Sequence, residues 1–273
     1  MKTIGMIVPT VDNSFFANLS HEIEKEMHRN GYFTFICDSG NKAEKEKDYL
    51  KTLQENGCAG IICVSGLSSL PDDLISGDLP LVFVDRVPKS ERKIPWVAND
   101  DAAAMEEAAA CLIAKGCRNI ALMAGYTAEK QESPRVTGYK KALEAAGIAV
   151  RNELILNRPG KKSSEEETEE MVQELMQNGC RIDGIITSSD RAAFGAMTAL
   201  KKTGYYVPED VRLISFDNSP YSAMSSPSVT AIDRNPALLA ERACEVLLKL
   251  IAGEEADEEN IVRVSLVERD STR

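Results

Sequence analysis

Short apolar runs alternate with longer amphipathic stretches from the start of the 273-residue chain, and the alternation begins again near its middle. Runs at 4–8, 33–37, 60–64 and 81–84 are strand-like, and helical patterns separate the first three. A second set lies at 120–123, 154–156, 184–187 and 213–216, separated by helical stretches such as 131–146 and 165–178. Strand, helix and strand in succession require crossovers, hence parallel sheets covered by helices on both faces. At 273 residues the chain also exceeds the usual single-domain size. The expectation is an α/β protein of two similar doubly wound parallel-sheet lobes.

The halves echo each other locally. "AGIICVSG" at 59–66 resembles "DGIITSSD" at 183–190, and "LPLVFVDR" at 79–86 resembles "VRLISFDN" at 211–218. Each half therefore ends an apolar strand with an aspartate, Asp85 and Asp217. Ligands of open parallel sheets gather beyond the carboxyl ends of the strands, so these two are expected to face each other across a ligand cleft between the lobes. The plainer alternative is a turn or helix-capping carboxylate. In "VPTVDNSFFANL", residues 8–19, Phe16 shares a helical stripe with Ile23 and Met27, while Phe15 lies about 100° around the axis. Phe15 has the better claim to a pocket, and Phe16 serves either core or ligand. Arg135, in "SPRVTGY" at 133–139, stands near a helix start, where the dipole opposes a cation. It either reaches toward a polar ligand or pairs with a nearby carboxylate.

Composition narrows the functions. The formal charge of −11 repels nucleic-acid phosphates, and the Lys and Arg residues form no basic stripe. No apolar run is long enough to cross a bilayer. The seven cysteines lack CxxC spacing and read as reduced, mostly core, residues; His21 and His28 lie seven apart without acidic or sulfur ligands beside them. No metal and no cofactor are expected. The position matching Cys63 in the second half is Thr187, which removes a two-thiol racemase, and there is no glycine-rich phosphate cradle. An enzyme is not expected. The acid-rich run "EEETEE" at 165–170 reads as a solvated helix face.

The set "IGMIVPTVDNSFFANL", "VFVDR", "SPRVTGYKKAL", "SSDRAAFGAMTALKKTGYYVPEDVRLISFDNSP", "TAIDRNP" and "LVERDSTR" resembles the effector-binding core of the LacI/GalR family of bacterial transcription regulators, related to periplasmic ribose-binding proteins. The resemblance covers essentially the whole chain. It implies a periplasmic binding protein-like fold of type I, with lobes at 1–98 plus 236–262 and 99–235 plus 263–273, three interlobe crossovers, and a small-molecule effector between the lobes. Carried over by position, the pocket falls on Asn13, Phe15, Phe16, Asp85, Arg86, Arg135, Ser189, Asp190, Asp217 and Asp233. Carboxylates accepting from hydroxyls, arginine forks donating to oxygens and an aromatic face over C–H groups suit a pentose or hexose.

Two positions depart from the family pattern. Ser189 stands where many members have asparagine, and Asp233 where sugar-binding relatives often have glutamine, making the pocket more acidic. The loop "NRPGKKSS" at 157–164 lacks the family's second aromatic and offers Arg158, Lys161 and Lys162. Either that sugar face is bare, or the ligand is anionic, or the loop is simply solvated. The family's regulators carry a helix-turn-helix module of about sixty residues ahead of this core. The resemblance therefore implies a cytoplasmic homodimer that meets operator DNA only through such a module, missing from this chain. The alternative is a secreted sugar receptor of an uptake system.

Overall fold

The computed structural model describes residues 2–74, 79–126 and 133–273. Along the chain run β1 (Lys2–Val8), α1 (Ser14–Arg29), β2 (Tyr32–Asp38), α2 (Ala43–Glu55), β3 (Ile61–Cys63), β4 (Leu81–Val84) and β5 (Trp96–Asn99). They are followed by α3 (Asp101–Ala114), β6 (Ile120–Tyr126), α4 (Pro134–Ala145), β7 (Ile155–Arg158), α5 (Ser164–Gln177), β8 (Gly184–Thr187), α6 (Asp190–Thr203) and β9 (Arg212–Phe216). The last elements are α7 (Pro220–Met224), β10 (Thr230–Asp233), α8 (Pro236–Ile251), β11 (Glu259–Val262) and β12 (Ser265–Val267). Residues 131 and 132 of the helix expected at 131–146 lie outside the described residues; Ser133 caps the helix and Pro134 occupies its first turn.

Two compact units result, Met1–Asn99 with Asn235–Arg263, and Asp100–Arg234 with Val264–Arg273, so the chain passes between them three times. Each holds a six-stranded sheet of the same order: β11-β5-β4-β3-β1-β2 in the first and β12-β10-β9-β8-β6-β7 in the second. The repeat breaks at the last strand, since β11 runs parallel to β5 while β12 runs antiparallel to β10.

Burial on both faces explains the near-continuous apolar strands inside each sheet, whereas the edge strand β2 leaves Phe33, Phe35 and Ile36 exposed. In β1, Ile4, Met6 and Val8 enter the core under α1 and α8, with Leu19, Ile23, Met27, Leu239 and Leu247, whereas Ile7 enters the core under α2, with Leu50, Leu53 and Phe83. This is the two-residue alternation of a strand. The second unit repeats the plan, with one core around Met105, Leu112, Tyr139 and Phe216 and another around Met123, Val172, Leu200 and Leu213.

Helix contact in the second unit depends on two glycines. A Cβ at Gly138 would sit 2.0 Å from the Ala102 carbonyl oxygen, and one at Gly195 would sit 2.2 Å from that of Glu165. The backbones of α3 with α4 and of α5 with α6 therefore approach as closely as chain geometry allows.

The acidic helix face is only partly solvated. Glu167 is buried and accepts from the Lys161 and Lys162 amides, while Glu165 and Glu169 pair with Arg191 and Lys202. Among the described residues, no helix is long and apolar enough to cross a membrane. All seven cysteines are free thiols, and Cys58, Cys63, Cys117 and Cys244 are buried.

Candidate functional site

At the carboxyl edge of the first unit's sheet, β4 ends in Asp85, whose φ is +66° and whose amide donates to the Val97 carbonyl of the neighbouring β5 at 2.9 Å. In the second unit β9 ends in Asp217, φ +93°, with its amide donating to the Ile232 carbonyl of the neighbouring β10 at 3.0 Å. Asp is among the few non-glycine residues found in the left-handed region, and such backbone persists where the surrounding structure holds it. The internal repeat read in the sequence thus extends to backbone conformation and hydrogen bonding.

Around Asp85, Arg86 Nε lies 3.9 Å from the carboxylate, and the guanidinium sits over the Phe16 ring at 5.4 Å while Nη1 donates to Asn41 Oδ1. Asn13 caps α1, its Oδ1 accepting from the Phe15 and Phe16 amides. The two rings meet edge to face at 5.3 Å. Phe16 joins the core, but so does Phe15, which is only 3% exposed and packs in the same cluster as Leu19, Ile23 and Met27. The 100° offset expected to free Phe15 fails because the apolar stripe is wide enough to include both rings. A buried carboxylate supports this edge: Glu46, on α2, accepts from Ser65 Oγ and the Gly66 amide. Burial, reinforced by that carboxylate, pushes the neighbouring Cys63 thiol well above its ordinary value.

In the second unit Arg135 adopts the ion pair that the sequence left open. Its Nε donates to Asp101 Oδ2 at 2.8 Å, Nη1 donates to the Ser188 carbonyl, and its plane covers the Phe216 ring at 4.1 Å. Three contacts aim it along the edge formed by β8 and β9. Ser189 caps α6 through the Ala192 amide. Asp190 is buried, with one oxygen accepting from Ser215 Oγ and the other from the Ser219 amide at 2.6 Å. Both of its oxygens therefore hold protein groups, and the residue supports the loop that begins at Asp217.

Asp233 accepts from Asn218 Nδ2 at 3.1 Å, whereas its neighbour Arg234 is the residue turned inward, 3% exposed, with Nη1 3.5 Å from Asp217 Oδ1. Beside the acidic residues expected there, this edge thus carries a buried cation. Sequence reading does not find Arg234, because Thr230, Ala231 and Ile232 are all buried and no alternation distinguishes it from Asp233. Of the basic loop residues, Lys161 and Lys162 are exposed, Lys162 pairing with Glu170, and Arg158 is buried.

A family described as periplasmic binding protein-like domain matches residues 109–272. The HTH-type transcriptional regulator RegA of Clostridium saccharobutylicum is 30% identical over 99% of this chain and 82% of its own length. A periplasmic binding protein/LacI transcriptional regulator from Alkaliphilus metalliredigens QYMF, solved with D-xylulofuranose, superposes with a TM-score of 0.86 at 30% identity over 100% of both chains. A LacI family transcriptional regulator from Enterococcus faecium with bound ribose gives 0.84 at 27% identity, over 99% of this chain and 98% of that one. With the family match spanning more than half of the chain and the relatives spanning nearly all of it, the chain belongs to the periplasmic binding protein-like domain family, as the effector-binding core of the LacI-type regulators.

Proposed function

We propose that this chain senses a neutral sugar of the pentose or hexose class and reports its presence to a DNA-binding module of a transcriptional regulator. The observation that carries the reading is the pairing of charge at the two carboxyl edges. Arg86 lies beside Asp85, Arg135 beside Asp101 and Arg234 beside Asp217. Each guanidinium has a carboxylate at hand, so the edges offer donors and acceptors to hydroxyls without the surplus cation that a phosphosugar needs. The sugars bound by the two solved relatives support the same class.

Binding, rather than catalysis, is assigned to these residues: Asp190 holds protein groups with both oxygens, and His21 and His28 lie on α1. The net charge of −11 and the helix-turn-helix name of the RegA relative support DNA contact through a module outside these residues. The regulator names of the relatives support a cytoplasmic location, and the reading takes the assembled form to be a homodimer.

Thermal unfolding with D-ribose, D-xylulose, ribose 5-phosphate and hypoxanthine tests the reading. A specific sugar at a hundred times its Kd adds about 2.7 kcal/mol of stability. Stabilisation by the phosphosugar or the purine alone overturns the neutral-sugar assignment.

A further inference from the structure

Asp217 is followed by a second left-handed residue, Asn218, with φ +52°. Neither is glycine, and two such residues in succession persist only where side chains hold them. Asn218 is held at both ends of its carboxamide. Its Oδ1 accepts from Arg269 Nη2 at 2.6 Å, and its Nδ2 donates to Asp233 Oδ2 at 3.1 Å. Cation against oxygen and carboxylate against nitrogen fix the amide's sense, since a flip would set like polarities together.

Arg269 is itself anchored. Nη1 donates to the Val229 carbonyl at 2.7 Å, and its amide donates to Thr230 Oγ1 at 2.8 Å. Two residues later Ser271 Oγ donates to the Leu213 carbonyl and accepts from the Thr230 amide. The chain's last turn is thus bonded to both β9 and β10, and its arginine fork extends from that anchorage to the residue after Asp217.

We propose that Arg269 is a positioning residue for effector binding, setting the direction of the Asp217 carboxylate by clamping Asn218. The proposal rests on the sugar-sensing reading above. The clamp acts through the backbone: Asn218 held in the left-handed region fixes the peptide that joins it to Asp217, while the Asp217 amide on Ile232 and the Ser219 amide on Asp190 hold the turn's two ends. A lysine at 269 keeps the charge and one of the two contacts but cannot fork to Val229 and Asn218 together.

The test uses the full chain, Arg269→Lys, Asn218→Gly, which keeps the left-handed backbone accessible, and the double variant. Titration calorimetry with D-ribose and D-xylulose is run beside ligand-free amide exchange. Arg269→Lys is expected to weaken the bound sugar about tenfold, as one charge-assisted bond warrants. In the Asn218→Gly background the same change is expected to alter affinity by less than about twofold, since the two act as one unit. Exchange at the Asp217 and Ser219 amides is expected to accelerate while β8 and α6 keep their protection. Unchanged affinity in Arg269→Lys, additive losses, or faster exchange spread across the unit each overturn the clamp. A wild-type chain that takes up neither sugar rules out these pentoses as effectors, and the exchange at residues 217–219 then decides the clamp by itself.

Discussion

Arg234 Nη1 lies 3.5 Å from Asp217 Oδ1, and both side chains are almost wholly withdrawn from water. A buried pair contributes little net stability relative to apolar residues of the same size, yet losing one partner strands the other charge. Arg234→Met is therefore expected to destabilise the protein by about 3–5 kcal/mol in urea denaturation, with Asp217→Asn, which removes the stranded charge and tolerates the left-handed backbone, restoring part of the loss when added to it. An additive double variant would show that the two charges are not coupled.

Asp85 provides the cleaner view of the site, because its Arg86 partner is half exposed and can turn to solvent. Asn tolerates the left-handed backbone as Asp does, so Asp85→Asn preserves the fold while removing the charge. The expected outcome is an unchanged melting temperature with a loss of about 1–3 kcal/mol in sugar affinity by calorimetry.

Phe15→Ala and Phe16→Ala are each expected to cost about 3–5 kcal/mol of stability, since both rings are buried in one cluster. Phe16→Leu separates packing from ring chemistry. It keeps most of the volume but removes the face beneath Arg86, so affinity falls by about 0.5–1 kcal/mol or more, with a smaller stability loss than alanine gives. Unfolding curves and sugar titrations on the same preparations distinguish the two effects.

These rings also show where the sequence is legible and where it is not. Apolar runs such as 4–8 and 213–216 announce β1 and β9 because both faces of each strand are covered and helical patterns flank them. β5, with only Trp96 to Asn99 after Pro95, and β12, three residues long, carry too few alternations to be seen. Asp85 and Asp217 were readable because a charge ends an apolar run. Arg234 is hidden by the charge beside it, because β10 is buried on both faces and nothing local says which of Asp233 and Arg234 turns inward. The role of Asn218 depends on Arg269, 51 residues away, and no local pattern encodes such a pairing.

Gly138→Ala and Gly195→Ala are each expected to lower stability by about 1–3 kcal/mol or more, because the new methyl meets backbone that no rotamer change can move aside. For a chain of this size each kcal/mol lowers Tm by about 2–4 °C, within easy reach of calorimetry. A neutral outcome at either site would mean that the helix pair separates freely.

Alkaline stability is set by buried acids. Burial, aided by Glu26 and Glu245, pushes the Cys244 thiol from 9.0 up to about 12, and burial pushes the Tyr139 hydroxyl, which donates to the Ile120 carbonyl, from 10.0 up to about 12. Both folded values exceed the unfolded ones, so the unfolded chain loses its protons first as pH rises. Their contribution is intact below about pH 9 and is lost progressively toward about pH 12, by about 1.4 kcal/mol per pH unit for each group. Cys244→Ala is expected to flatten that slope in urea titrations between about pH 9 and 11.

Asn99 Nδ2 donates to the Val262 carbonyl across 163 residues, and β5 pairs with β11 along the same seam. The first unit therefore cannot close its sheet when its own first 99 residues leave the ribosome. At about 5–20 residues per second, β5 waits some ten to thirty seconds for its partner, an open strand edge throughout. The second unit waits as well, since Ser271 must reach Leu213. Each unit is thus completed only by a segment made long after its first strands, and until then its sheet presents an unpaired edge.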